Sequence, residues 1–305
     1  MNKLETIEDM YDEYEFFDDV LNKPLDKEEA IKARRLEIDF FRARKVYEKV
    51  PRHLAAGHKI ISTKWLDVDK GDKQRPSLRA RLVGRELKLN DRRLDLFAAT
   101  APLESLRLLC SICAANHMRA RPYRLLSIDV ERAYFYAPVH PEILIEILLE
   151  DWEPGDESKV ARLNLSLYGA RDAAQNWTKE YTKVLLDLGF IAGHATPCNF
   201  YCEERELFVT VHGDDFTAAG PKVSPEWLKS GIESAWEIKA DFLGPQTEGC
   251  SQEIRILNRT LKWTDRGLEY EPDQRHADLV IEQVGVFHCK PVSTPYIHNP
   301  YRVHT

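Results

Sequence analysis

Cysteine is scarce, six in 305 residues at positions 110, 113, 198, 202, 250 and 289. That is too few to staple a chain of this length, so reduced thiols are expected. No stretch approaches the roughly 20 consecutive apolar residues that cross a bilayer. Met1 to Glu8 lacks a basic start followed by an apolar run, so no secretory leader is expected either. With 14 Gly and 16 Pro in a mixed composition, collagen-like, low-complexity and wholly disordered readings fall away, and no internal repeat is seen. Net positive charge is also lacking: the chain carries −7. What is present is 43% hydrophobic and 30% charged residues, a balance that packs one large or two modest soluble domains. An intracellular protein, cytoplasmic or nuclear, with no membrane partner is the expectation.

The charge is unevenly spread. Residues 1–30 hold eleven acids and three lysines, which leaves the rest of the chain at +1 (−7 overall against −8). Lys73 to Arg93 contains eight Lys/Arg against Glu86 and Asp91. Phosphates respond to local field and not to net charge, so a polyanion-binding surface is compatible with the acidic total. The acidic head, with weak periodicity, reads as a disordered or loosely docked segment, and its charge raises the question of whether it covers the basic stretch.

Apolar spacing predicts a helix from Glu28 to Val50 that Pro51 ends. A hairpin follows, Lys59–Val68 with Leu78–Leu82, bearing a charged tip. Helices are predicted over Leu103–Ala115, Ala173–Leu188 (with Gly189 as its stop), Ser224–Ala235 and Gln274–Val284. Strands are predicted over Tyr123–Val130, Ile143–Leu149 and Arg255–Trp263. Leu207–His212 and Phe216–Ala219 flank Gly213-Asp214-Asp215 as strand–turn–strand. Irregular alternation with several hairpins points to α+β and away from a doubly wound parallel sheet.

Asp214-Asp215 at a hairpin turn has a purely conformational explanation, because Gly and Asp favour such turns. It has a chemical one if Asp129 joins them, since carboxylates gathered from separate strands favour a cation between them. Arg79 and Arg81 are two apart and share one face of a strand, as a phosphate grip requires; a solvated charged face explains them equally well. Cys110 and Cys113 lie in an apolar helix and read as core thiols. Pro197 breaks the alignment of His194, Cys198 and Cys202, so no zinc site is expected.

Several ordered stretches carry a resemblance: Lys64-Trp65; Arg79-Ala80-Arg81-Leu82-Val83; Pro102-Leu103-Glu104-Ser105-Leu106-Arg107; and Ile128-Asp129-Val130 through Ala133-Tyr134. They continue with Leu165-Ser166-Leu167-Tyr168-Gly169 through Trp177, then Asp214-Asp215, and Cys289-Lys290-Pro291-Val292-Ser293-Thr294-Pro295. Together they resemble the reverse transcriptase domain of copia-type retrotransposons, from about Ile31 to Pro295. The resemblance implies an RNA-directed DNA polymerase with the right-hand fold: palm and fingers, a short partial thumb, and an antiparallel palm sheet backed by helices. Its parts would be an acidic segment (1–30), a helix and fingers hairpin (31–100), a palm with inserted fingers (101–256, insertion about 138–165), and palm end with partial thumb (257–305).

By the same resemblance, Asp129 and Asp214 are the main ligands of two Mg²⁺ ions (Mn²⁺ as the substitute), with Asp215 completing the catalytic triad. Arg79, Arg81, Val130 and Tyr134 would meet the deoxynucleotide triphosphate, Tyr134 as the gate against a 2′-hydroxyl. Lys64, Arg85, Arg92, Arg93, His212 and Gly213 would contact an RNA or DNA template-primer. The ribonuclease H and integrase regions of a parent polyprotein are not in the chain, and the short thumb predicts poor processivity. Three positions depart from the family pattern. His212-Gly213 replace the usual Tyr-Val, with Gly213 expected to loosen its strand, and Asp172 stands where a nucleotide-holding Gln is usual, a charge expected to repel the triphosphate. These departures keep a second reading open, a relic that binds nucleic acid without extending it, and a third in which only the fold is retained, with the acidic head as an interaction segment.

Overall fold

The protein is described by a computed structural model at residues 11, 14–71, 77–86, 96–116, 122–140, 142–272 (of 273, nothing), 274–287 and 289–290, His276 by its backbone. The chain clusters into two compact units, Met1–Asp241 and Phe242–Thr305, each taken by itself below.

The first unit opens with helix α1, Lys27–Arg44. Asp26 caps it by accepting from the Glu29 N–H, Glu28 and Glu29 sit at its positive end, and Arg42 and Arg44 at its negative end. The helix stops six residues before the predicted end, because Lys45 turns left-handed (φ 51°) and hands its N–H to Arg42 and Phe41 carbonyls. Tyr47–Pro51 is instead strand β1, so Pro51 closes a strand and not the helix. Next come β2 (Ile60–Ile61), β3 (Thr63–Asp69), β4 (Leu78–Gly84) and helix α2, found over Leu103–Ala115 as its periodicity predicts. They are followed by β5 (Tyr123–Val130), β6 (Leu144–Ile145), β7 (Lys159–Leu163), α3 (Ala173–Asp187), β8 (Ile191–Ala192), β9 (Asn199–Cys202), β10 (Leu207–His212) and β11 (Asp215–Pro221). Helix α4 (Val223–Glu233) and β12 (Ile238–Leu243) come last. Only Leu144 and Ile145 of the strand predicted over 143–149 are paired; Leu149–Asp151 turn into a short 3₁₀ segment.

A six-stranded sheet, in the order β12-β5-β11-β10-β9-β8, is the centre of this unit, and its central strands pair antiparallel. Its second strand, β5, buries apolar side chains on both faces: Leu125, Leu126 and Ile128 are fully buried. Helix α3 lays Trp177 and Tyr181 against Phe216, Phe200 and Trp236, ring to ring within 4.7–6.4 Å. A four-stranded sheet, β1-β7-β6-β2, shares a second core with α1, in which Phe41, Phe135, Leu82, Ile145 and Leu167 meet. Strands β3 and β4 form a ribbon of their own. The architecture is mixed α and β with mostly antiparallel sheets.

The second unit carries β13 (Glu253–Ile256), β14 (Arg259–Thr264) and β15 (Gly267–Pro272) as an antiparallel meander, then α5 over Gln274–Val284. The single strand predicted over Arg255–Trp263 is split, because Leu257 and Asn258 both take positive φ (46° and 59°) and make a two-residue turn. Leucine rarely adopts that conformation, so Asn258 alone signals the turn within an otherwise strand-like run. No helix among the described residues is long and apolar enough to cross a membrane.

Candidate active site

The register of the central sheet decides which acids meet. Strands β5 and β11 pair antiparallel with Asp215 directly opposite Asp129, so both side chains leave one face of the sheet. Strands β10 and β11 close on His212 opposite Asp215, which leaves Gly213-Asp214 as a two-residue turn. Gly213 has φ +69° and open space around its absent side chain, while Asp214 keeps negative φ. That is the turn in which glycine belongs at the first central position. Gly213 therefore lies in the turn and relaxes it; it does not loosen a strand. The turn is tied down twice. The Trp177 indole N–H donates to the Gly213 carbonyl at 2.8 Å, and the Val130 N–H donates to the Asp214 carbonyl at 3.1 Å.

Asp129, Val130 and Asp214 line a cleft of about 310 Å³ together with Ser77, Leu78, Arg79, Arg81, Glu131, Arg132 and Lys239. The central-sheet side brings Asp129, Glu131 and Asp214 with Arg132 and Lys239 among them, and strand β4 brings the cations Arg79 and Arg81. Asp215, paired opposite Asp129 on the same face of the sheet, is not among the residues that line this cleft. Burial and then the Asp214 charge raise the Asp129 carboxyl above its usual range, against the pull of Lys239 and Arg79. Burial, Asp214 and Asp129 push Asp215 up to about 6, with His212 pulling the other way. On the opposite wall, partial burial and the charges of Arg81 and Arg132 lower Arg79. Like charges crowd on each side, and the counter-charges present, Lys239 beside Asp129 and Glu37 near Arg79, offset this in part.

The raised Asp215 has a consequence for stability. The folded chain holds this proton more tightly than the unfolded chain. The resulting stabilisation is full below about pH 4 and is lost as pH rises through about 6. A shift of this size is worth about 3 kcal/mol if fully buried and about 1–2 kcal/mol after solvent screening. Asp215→Asn is therefore expected to melt a few degrees above the wild type at pH 7.5 without metal, and the gap should close near pH 4.5. Equal melting temperatures at both pH values would show that the fold does not raise the Asp215 carboxyl.

Other candidate residues lie at varied places. Tyr134 stands on the 3₁₀ turn Ala133–Tyr136, half-buried, with its ring 4.6 Å from that of Tyr168. Arg81 lies 5.3 Å from the centre of the same Tyr168 ring. The His212 ring nitrogen Nδ1 is 3.3 Å from the Ala101 carbonyl. Lys64 is ion-paired with Asp19 at 2.5 Å, and Arg85 is exposed with its Nε 3.3 Å from the Ser62 hydroxyl; neither is among the cleft's residues. Arg92 and Arg93 fall outside the described residues. Asp172 is 1% exposed and accepts from the Asn176 amide at 2.9 Å. It is buried at the start of α3, so the expected repulsion of a triphosphate has no basis. Cys110 and Cys113 are buried and their thiols are pushed up to about 12, as core cysteines would be.

Sequence reading missed Arg132, Glu131 and Lys239. Arg132 turns left-handed (φ 53°) just past β5, and the buried Glu37 of α1 accepts two bonds from it, at 3.1 and 3.2 Å. Lys239 pairs with Glu131 at 2.7 Å. The only signal for Glu37 is an acid on an otherwise buried helix face; Lys239 carries none, because it enters through the pairing of β12 beside β5.

A divalent cation is tested by the donor set. Among the described residues, no three His, Cys, Asp or Glu side chains are already drawn to ligating distance. The acids nevertheless fit: they are hard oxygen donors on one face and at one turn, and their mutual repulsion is what a cation relieves.

Comparison with known proteins adds the following. Residues 44–248 match the family model described as reverse transcriptase (RNA-dependent DNA polymerase). The chain is 25% identical over 292 residues to a retrovirus-related Pol polyprotein from transposon TNT 1-94 of tobacco, Nicotiana tabacum. The match covers 93% of this chain and 21% of the polyprotein, so the chain spans about a fifth of that relative's length. Among solved structures, a foamy viral protease-reverse transcriptase in complex with double-stranded DNA aligns at 15% identity and TM-score 0.40, over 79% of this chain and 35% of that one. An apo telomerase from Candida tropicalis aligns at 9% identity and TM-score 0.43, over 85% and 64% respectively.

Proposed function

Because the chain belongs to the copia-type reverse transcriptase (RNA-dependent DNA polymerase) family, we propose that it extends a primer on an RNA or DNA template by adding deoxynucleotides. The observation that carries this reading is the single cleft in which Asp129 and Asp214 face Arg79, Arg81 and Lys239. The six-stranded sheet is assigned to a palm and the β3–β4 ribbon to fingers.

In this reading Arg79 and Arg81 grip the triphosphate. A guanidinium meets phosphate oxygens through a planar fork, and Arg stays charged even where neighbours lower it. The polyanion would offset the repulsion that Arg79 meets from Arg81 and Arg132. Asp129 and Asp214 would hold two Mg²⁺ ions, with Mn²⁺ as substitute and Asp215 supporting them. Such ions acidify a primer 3′-hydroxyl and stabilise a leaving pyrophosphate. Trp177 and Val130 keep the turn in place, so the carboxylates are oriented before substrate arrives. Tyr134, braced by Tyr168, would lie under the incoming sugar and exclude a 2′-hydroxyl. His212, Gly213, Lys64, Arg85, Arg92 and Arg93 would contact the template-primer, by backbone phosphates that position without reading sequence.

The test is primer extension on an RNA template with Mg²⁺ and deoxynucleotides. Elongation is expected, ribonucleotides should be poor substrates, and Tyr134→Ala should admit them at least tenfold better. Stable binding of template-primer with no elongation would favour the second reading, a domain that has kept nucleic-acid binding alone.

A further inference from the structure

The β3–β4 ribbon carries the cationic wall of the cleft but is a sheet of only two strands. Two strands alone are marginal in water, and the outer edge of β3 presents unpaired N–H and C=O groups. The described part of the acidic N-terminal segment covers that edge. The Asp19 N–H donates to the Asp67 carbonyl at 2.9 Å, and the Asp67 N–H donates back to Asp19 Oδ2 at 2.9 Å. Lys64 Nζ reaches Asp19 Oδ1 at 2.5 Å. One step further along, the Asp69 N–H donates to Asp18 Oδ2 at 2.8 Å.

Asp18 is itself fixed, being 2% exposed, with Oδ1 accepting from the Val20 and Leu21 N–H groups at 2.8 and 2.7 Å. The contact is relayed onward through Asp69, whose Oδ1 accepts from Gly71 and Ser77 N–H groups at 2.9 and 2.8 Å and so draws the two ends of the ribbon's tip together. Ser77, Leu78 and Arg79 are residues of the cleft. On the other side of the segment, Tyr11, Tyr14, Phe16 and Trp65 surround the buried guanidinium of Arg34 at 4.7–5.6 Å, while Arg34 grips Asp67 at 2.6 Å. Leu78 packs against the cluster of Tyr11, Phe16, Ala30 and Ile31.

We propose that Asp18 and Asp19 are positioning residues for nucleotide capture: they clamp the free edge of β3 and so hold Arg79 and Arg81 opposite Asp129 and Asp214. The acidic segment then acts as a brace for the cationic wall and not as a cover over it, since both carboxylates are spent on the ribbon's backbone and on Lys64. The inference rests on the polymerase reading for the word nucleotide; the clamp itself does not.

Two measurements separate these. In steady-state extension, Asp18→Asn and Asp19→Ala are expected to raise the KM for deoxynucleotide about tenfold with kcat within twofold, and Asp18→Asn, which leaves the Asp19–Lys64 pair in place, should keep template-primer affinity unchanged. Asp19→Asn, which keeps an acceptor for the Asp67 N–H, should recover most of the loss. By hydrogen exchange, amides of Trp65–Val68 and Arg79–Leu82 should open faster in both variants, while those of β5, β10 and β11 keep wild-type protection. Unchanged exchange in the ribbon overturns the clamp. A lower KM in either variant, or tighter template-primer binding by Asp18→Asn, also overturns it, because the segment would then be a cover. If the wild type does not extend primers, the polymerase reading fails, and the exchange result still decides the clamp.

Discussion

Replacing Asp214 by Asn is expected to cut the rate of nucleotide addition about 1,000-fold, close to 4 kcal/mol in the barrier. The change is nearly isosteric and keeps an acceptor, but it removes a full negative charge from the acid that both lines the cleft and raises the carboxyls of Asp129 and Asp215. Template-primer affinity should stay within about twofold, because grip on the nucleic acid comes from phosphate contacts elsewhere. The folded chain should be at least as stable as the wild type, since one member of a repelling group is gone. Single-turnover extension, filter binding and thermal melting on one preparation read the three expectations. A variant that extends at more than a tenth of the wild-type rate would remove Asp214 from the chemistry. Loss of extension together with loss of folding would leave the sheet, and not the charge, as the cause.

The largest effect on stability is expected from Gly169→Ala. Gly169 has φ +81°, and a Cβ added there would stand 2.1 Å from the Gly84 carbonyl oxygen. The obstacle is backbone, at the point where the Gly84 N–H donates to the Tyr168 carbonyl at 2.6 Å and the ribbon joins the body of the unit. A left-handed alanine costs about 1 kcal/mol and the overpacking a further 1–3 kcal/mol. Melting should fall by about 5–15 °C. Because Tyr168 braces Tyr134 and lies beside Arg81, nucleotide binding should weaken in whatever folded fraction remains. Gly213→Ala also meets a positive φ, +69°, but open space, so it should cost about 1 kcal/mol and no more. A Gly169→Ala protein that melts with the wild type would mean that the ribbon joint yields freely.

These two glycines mark how far the sequence can be read. The turn around Gly213 is legible because it is local: β-rich runs flank a Gly-Asp pair, and the hairpin follows. That Asp129 joins Asp215 is not local, for it depends on β5 lying beside β11, 86 residues on, in a register that places the two acids opposite. Within the sequence, only the family resemblance implies that step. Lys239 and Glu37 reach the region through other long-range packing, so nothing in their own neighbourhoods marks them. Lys45 and Leu257 show the limit from another side. Each adopts a left-handed backbone that its side chain disfavours, and each ends an element that periodicity alone would continue. Asp172 carried the wrong expectation because a charge was read from its place in a motif, whereas helix α3 takes it into the interior beside Asn176.

The central claim is that Asp129, Asp214 and Asp215 form a divalent-cation site facing a cationic wall. Its most direct test is a Mn²⁺ titration of the chain alone, followed by electron paramagnetic resonance of the free ion, in the wild type and in Asp214→Asn. The account predicts that the wild type removes Mn²⁺ from solution in the millimolar range or below, that Asp214→Asn removes measurably less, and that Mg²⁺ competes. Identical free-ion curves for the two proteins would contradict it.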